Sequence, residues 1–277
     1  MMRVDAHQHY WHYDPVRDSW IDGSMSRIRR DFLPDDVAPA LHAAGIDAVV
    51  AVQADQSEAE TDFLLDMAAR HPVIRGVVGW IDLRAPDLAD TLARRRGDPR
   101  LKGFRHIAQG EPDDFLTRPA ILAGIAQLGE QGFTYDILIH ARQLAAAEHL
   151  VARCPGVRFV LDHCAKPPIA TCALDDWKRG IGRLALHANV ACKVSGLITE
   201  ASWTRWTTSD IVPCLDAAAD AFGADRLMFG SDWPVCLLAG EYARVAELVE
   251  TWSARLTSTE RERVFGGTAV SVYRLEE

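Results

Sequence analysis

The sequence predicts an α/β fold, a (β/α)₈ TIM barrel in a single domain over residues 1–277. Eight short apolar runs recur along the chain, helical patterns lie between them, and no charge run or Ser/Gly-rich linker divides it. Strand and helix alternating about eight times in a chain of this length is the pattern of a parallel barrel. An open doubly wound sheet competes, but it usually has fewer strands, and no GxGxxG loop follows the first run. With 48% hydrophobic and 25% charged residues, the chain has ample material for one large core.

The eight runs are 3–7, 47–52, 74–81, 101–107, 133–139, 157–161, 189–194 and 227–229. Most are apolar nearly throughout and β-branched, as strands buried on both faces should be. The helices carry their own signals. Asp35–Ala44 stops at Gly45, a C-terminal cap. Ser57-Glu58-Ala59-Glu60 is a capping box opening a helix that must end before His71-Pro72. Residues 118–131, 143–153, 175–187 and 209–222 fill later crossovers, and 242–254 with 258–265 close the chain. The first connection, Tyr10 to Asp31, is too long for an ordinary βα loop and rich in Trp, Tyr, Asp and Arg, so it is expected to cover a site.

Charge and composition narrow the function. A net charge of −9 is the wrong sign for a general nucleic-acid binder. No apolar run reaches membrane-spanning length and no signal peptide precedes the first strand, so a cytoplasmic protein acting on a small molecule is expected, with a homo-oligomer left open. The six cysteines form no CxxC pair, which suits reduced thiols better than a disulfide frame.

In a barrel, chemistry comes from the carboxyl ends of the strands. Strand one ends in His7-Gln8-His9, and alternation turns both histidines the same way, about 7 Å apart. Later strand ends supply Gln53, Asp55 and Gln56; Trp80 and Asp82; Arg105, His106 and Gln109; and His140 and Arg142. The last three give Asp162, His163 and Lys166; Lys193 and Ser195; and Ser231, Asp232 and Trp233. Five of the ten histidines fall at these ends, a clustering that helices would not produce by chance. Histidines around one carboxylate suit hydrolysis: the carboxylate takes a proton from water while imidazoles or a metal polarise a carbonyl. The catalytic candidates are therefore Asp232, His163, His7 and His9. Arg105, His106, Trp80, Gln53, His140 and Trp11 are candidates for substrate contact, with packing roles open for His106, His140 and the tryptophans. Lys166 and Lys193 read as solvated or structural, and Ser195 lacks the adjacent base of a serine nucleophile.

These motifs resemble a family. His7-Gln8-His9, His163 and Asp232 look like the amidohydrolase superfamily of metal-site barrels. Residues 4–11, 162–168, KVSGL at 193–197 and FGSDWPVC at 229–236 resemble its lactonase branch, which includes sugar lactonases and 2-pyrone-4,6-dicarboxylate lactonase. DPVRDSWI, RRDFLP, AVQADQS, GVVGWIDL, EPDDFL and TYDILIHARQL are similar to the L-fucono-1,5-lactonase group. The resemblance runs the length of the chain. It implies a barrel hydrolase on a carboxylic ester bond that opens an aldonolactone, L-fucono-1,5-lactone first, with a place in L-fucose degradation. L-rhamnono- and galactono-type lactones and pyrone dicarboxylates are the alternative substrates. Lactone isomerisation, decarboxylation and binding without turnover are the alternative activities.

The sequence departs from the superfamily's two-metal pattern at strand four. Arg105 and His106 stand where the resemblance would place a carboxylated lysine or a glutamate, and Lys102 lies at the wrong end of the strand. The expectation is one divalent ion, zinc, held by some of His7, His9, His163 and Asp232, or catalysis without metal. Few arginines follow the strands, whereas Gln53, Gln109, Asp82, His106, Trp80 and Trp11 suit a neutral polyhydroxy ring better than a dicarboxylate.

Overall fold

In the computed structural model, which describes residues 1–276, every apolar run becomes a strand. The strands are β1 (Val4–Gln8), β2 (Ala48–Val52), β3 (Ile74–Gly79), β4 (Leu101–His106), β5 (Thr134–Ile137), β6 (Arg158–Leu161), β7 (Val190–Val194) and β8 (Leu227–Phe229). They lie in sequence order in one sheet, each parallel to the next. The sheet shuts on itself at its carboxyl rim, where Gln8 bridges Trp233 and the Asp232 N–H donates to the His7 carbonyl at 2.9 Å. The result is a nearly closed (β/α)₈ barrel. Among the described residues no helix is long and apolar enough to cross a membrane.

Helices α1 (Pro34–Ala43), α2 (Glu58–Arg70), α3 (Leu88–Arg95), α4 (Pro119–Glu130) and α5 (Leu144–Arg153) surround the first half. Around the second half run α6 (Leu174–Ala185), α7 (Thr208–Phe222), α8 (Tyr242–Ser253), α9 (Ser258–Glu262) and α10 (Thr268–Tyr273). Ser57 accepts from the Glu60 N–H to start α2 as its capping box predicts. Gly45, at φ +63°, lets the chain leave α1. The expected last helix over 258–265 is instead cut at Glu262 by a π turn, Arg263–Gly267, before α10 begins. A Cβ on Gly266 would sit 2.0 Å from the Met2 carbonyl oxygen, so this turn packs directly on the chain's first residues.

Two apolar layers result. One lies between sheet and helices; the other fills the barrel with Val4, Ala6, Val50, Val160 and Met228, closed from below by Tyr273 and Leu275 around α10. Polar residues occupy the inside of the later strands. Lys193 and Asp136 are fully buried there. On β1, Val4 and Ala6 face inward while Asp5 bonds the Tyr242 hydroxyl of α8 at 3.1 Å. Strict alternation would send His7 outward after Asp5. A register shift between Asp5 and Gln8 turns it into the barrel instead, the re-aiming that a bulge performs. Lys102 bonds the Arg274 carbonyl at 3.0 Å, far from the rim, as its place at the start of β4 predicts.

Candidate active site

Two stretches of uncommon backbone shape the rim. After β6, His163, Cys164, Ala165 and Lys166 run in succession through the left-handed region, at φ 52°, 52°, 59° and 50°. After β8, Asp232 sits at φ 59°. Each such non-glycine residue costs roughly 1–2 kcal/mol, so the surrounding contacts must hold them there. Gly196 permits the arrangement: a Cβ on it would lie 2.5 Å from His163 Nδ1 and 3.2 Å from Asp232 Oδ2.

These turns bring four sequence candidates together. His7 Nε2 and His9 Nε2 are 3.1 Å apart, far closer than strand rise alone suggests, because the rings converge. Asp232 Oδ1 lies 3.4 Å from His9 Nε2, 3.8 Å from His7 Nε2 and 3.9 Å from His163 Nε2. His9 Nδ1–H donates to the Val52 carbonyl at 2.7 Å, which leaves its Nε2 lone pair facing the site. His163 Nδ1 is held by the Ser195 hydroxyl at 2.9 Å.

Electrostatics keep His7 and His163 neutral and the Asp232 carboxylate charged. Burial, helped by the Lys193 ammonium, pushes His7 well below the usual histidine range. Burial lowers His163 to about 4, against the pull of Asp232 and Asp162. Burial works to raise the Asp232 carboxyl, but the imidazoles of His163, His7 and His9 hold it well below its ordinary value. Asp232 is thus an ionised carboxylate beside the neutral imidazoles of His7 and His163.

Beneath His7 lies a buried ionic network. Lys193 Nζ approaches Asp136 Oδ2 at 2.6 Å, Asp162 Oδ1 at 3.0 Å and His7 Nδ1 at 3.1 Å. Arg105 reaches Asp162 Oδ2 at 3.0 Å and His7 Nε2 at 3.3 Å, and also donates to the Gln53 carbonyl. Sequence reasoning left Lys193 solvated or structural; it is structural, and wholly inside the barrel. Asp136 was missed, although an acid inside the apolar run Tyr135-Asp136-Ile137 signals a buried partner.

Above this layer opens a cavity of about 220 Å³. His9, His163 and Asp232 form its polar floor with Arg105, while Trp11 and Trp20 from the Tyr10–Asp31 connection and Gln109 line its sides. That connection is packed, not loose: Trp11 pairs with Phe32 and its indole N–H donates to the Arg30 carbonyl at 2.9 Å. Lys166 also lines the cavity, and Trp20 was not singled out in the sequence. Other candidates stand back from it. Gln53 donates to the Arg105 carbonyl at 3.1 Å. Trp80 donates to His106 Nδ1 at 3.3 Å, and His106 stacks on Phe115 and reaches Glu111 at 3.1 Å, so both its nitrogens are engaged. His140 is half-buried, and its backbone N–H donates to Gln143 at 3.0 Å.

A family model described as Amidohydrolase matches residues 4–275. The chain belongs to the amidohydrolase family. Among curated proteins, it is 45% identical to an L-fucono-1,5-lactonase of Burkholderia multivorans, covering 100% of this chain and 97% of that one. An L-fucono-1,5-lactonase of Burkholderia ambifaria is 37% identical over 99% of this chain and 96% of its own. A crystal structure of a Burkholderia multivorans amidohydrolase with bound zinc superposes with a TM-score of 0.97, at 44% identity over the whole of both chains.

The donor set of this amidohydrolase fits one metal ion. His7, His9 and Asp232 offer ligand atoms within 4.8 Å of one another, and so do His7, Asp162 and His163. Tetrahedral zinc with bonds of about 2.0–2.2 Å spans donors roughly 3.3 Å apart, close to the separations seen. Asp162 Oδ1 is buried without a hydrogen-bond partner, since Lys193 is near but out of line. It lies 3.4 Å from His7 Nδ1, placed to accept that N–H when Nε2 serves as a ligand.

Proposed function

We propose that this protein is a lactonase that opens L-fucono-1,5-lactone to the aldonic acid. The observation that carries the reading is an ionised Asp232 carboxylate within 4 Å of the imidazoles of His7, His9 and His163 at the floor of a ring-sized cavity. It is supported by full-length likeness to two L-fucono-1,5-lactonases. A neutral lactone suits the walls, because both cations that line the cavity already have anionic partners, Arg105 in Asp162 and Lys166 in Glu200.

Asp232 acts as general base on a water held near His7 and His9. The water oxygen attacks the lactone carbonyl as its proton passes to Asp232. The oxyanion that forms faces His163, in a cavity flanked by Trp11 and Trp20. As the ring C–O bond breaks, protonated Asp232 returns its proton to the departing ring oxygen. A divalent ion, zinc first, is held by His7, His9 and Asp232 with His163 beside them, and when bound it supplies Lewis-acid polarisation. The six free cysteines fit a reducing, cytoplasmic setting for this work.

A pH-indicator assay against a panel of sugar lactones, corrected for spontaneous opening, tests the proposal. Acid release should be fastest with L-fucono-1,5-lactone. Running it with and without chelator, and measuring metal content on the same sample, assigns the role of the ion. A protein that accelerates no lactone of the panel defeats the reading.

A further inference from the structure

The reaction above leaves one feature of the site unused. Four successive left-handed residues are an expensive way to leave a strand, and a single such residue would suffice to aim His163. The run makes one left-handed turn, closed by the Lys166 N–H donating to the His163 carbonyl at 2.8 Å. Residues at its two ends therefore share a face, and both His163 and Lys166 line the cavity with Asp232.

The two cations on that wall differ in what they have free. Both terminal nitrogens of Arg105 are engaged, by Asp162 and His7 on one side and the Gln53 carbonyl on the other. Lys166 Nζ has one anionic partner, Glu200 Oε1 at 3.3 Å, and an ammonium carries three donors. Glu200 comes from the connection after β7 and is itself about four-fifths buried, at 21% side-chain exposure. It anchors the long, flexible lysine stem and leaves two N–H groups for the cavity.

We infer that Lys166, held by Glu200, is a catalytic residue that donates to the lactone carbonyl oxygen as it becomes an oxyanion, sharing that role with His163. This rests on the lactonase reading. Lys166 keeps its proton throughout: the water oxygen bonds to the carbonyl carbon, the ring C–O bond breaks, and the ring oxygen takes its proton from Asp232. A donor aimed at charge present only in the transition state changes turnover and not ground-state binding.

The test measures kcat and KM on L-fucono-1,5-lactone for Lys166→Met and for the double variant Lys166→Met/Glu200→Gln, which leaves no stranded carboxylate. Both should lose about a hundredfold in kcat with KM held within about threefold. Methylammonium added to Lys166→Ala should recover part of the rate, which a packing role would not allow. A double variant within about threefold of normal kcat, a loss carried by KM, or a loss that methylammonium leaves untouched overturns the inference. If the unaltered protein opens no lactone, the lactonase reading itself fails and takes this inference with it; if it turns over and Lys166→Met does too, only the inference fails.

Discussion

The two sides of His7 make an instructive contrast. Below it, Lys193 Nζ donates to Asp136 Oδ2 at 2.6 Å and lies 3.0 Å from Asp162 Oδ1 and 3.1 Å from His7 Nδ1, while Tyr273 adds a hydrogen bond to Asp136 at 2.6 Å. Lys193 and Arg105 balance Asp136 and Asp162 there, with no exposure of Lys193, Asp136 or Asp162. Above it, Asp232 and Lys166 have valences unspent and face a cavity. Both layers are buried and ionic, so burial and charge do not by themselves mark a catalytic group. What separates them is what they face: the lower layer meets only protein, the upper layer a cavity. The lower layer is a foundation that packs beneath His7; the upper layer has room for a ligand beside it.

Breaking the foundation should have the largest effect. Lys193→Met strands Asp136 and Asp162 in the barrel, and removing one partner of a buried pair costs about 3–5 kcal/mol. Urea unfolding should register that loss, and turnover should fall with it because His7 loses its support. A variant as stable as the parent would mean the network is not structural. Gly196→Ala touches only the upper layer. Its Cβ would press within 2.5 Å of His163 Nδ1 at a backbone φ of +63°, so kcat should drop about a hundredfold while stability falls by about 1–2 kcal/mol. Equal, small losses of both would show that His163 can shift without consequence.

The smallest effect lies outside both layers, at Glu60 beneath the first connection. Burial pushes its carboxyl up to about 7. The folded chain therefore holds a proton that the unfolded chain releases near 4.5, and stability is lost as pH rises through that window. Glu60→Gln, which keeps the acceptor for the Ala54 N–H, removes that slope. Its melting temperature should match the parent at pH 4.5 and exceed it above pH 7, by an amount worth about 1 kcal/mol after allowing for solvent screening. A constant difference across pH would show that Glu60 does not titrate on folding.

Much of this was legible in the sequence, for physical reasons that also explain the gaps. Strands buried on both faces declare themselves as apolar β-branched runs, and all eight were readable. Helix α3 was not, because it is short and its last turn is a run of arginines. Helix α10 was hidden by Gly266-Gly267, which reads as a stop but serves a π turn. His7, His9, His163 and Asp232 could be placed at strand ends, yet their convergence depends on a register shift and on left-handed turns that no periodicity reveals. Lys166 was discounted because a lysine five residues past a strand usually faces water, and the left-handed run turns it inward. Trp80 and Gln53 look like substrate contacts in sequence because their partners, His106 and Arg105, are distant in the chain, and His106 because nothing in the sequence shows that the loop after β4 folds Glu111 back onto it.

The most direct test of the upper layer is the rate of L-fucono-1,5-lactone opening by Asp232→Asn, followed by acid release and corrected for spontaneous hydrolysis. The geometry predicts a fall in kcat of about a thousandfold in a variant that melts with the parent, since Asn keeps the shape and loses the base. A folded Asp232→Asn protein with near-normal turnover would contradict the account.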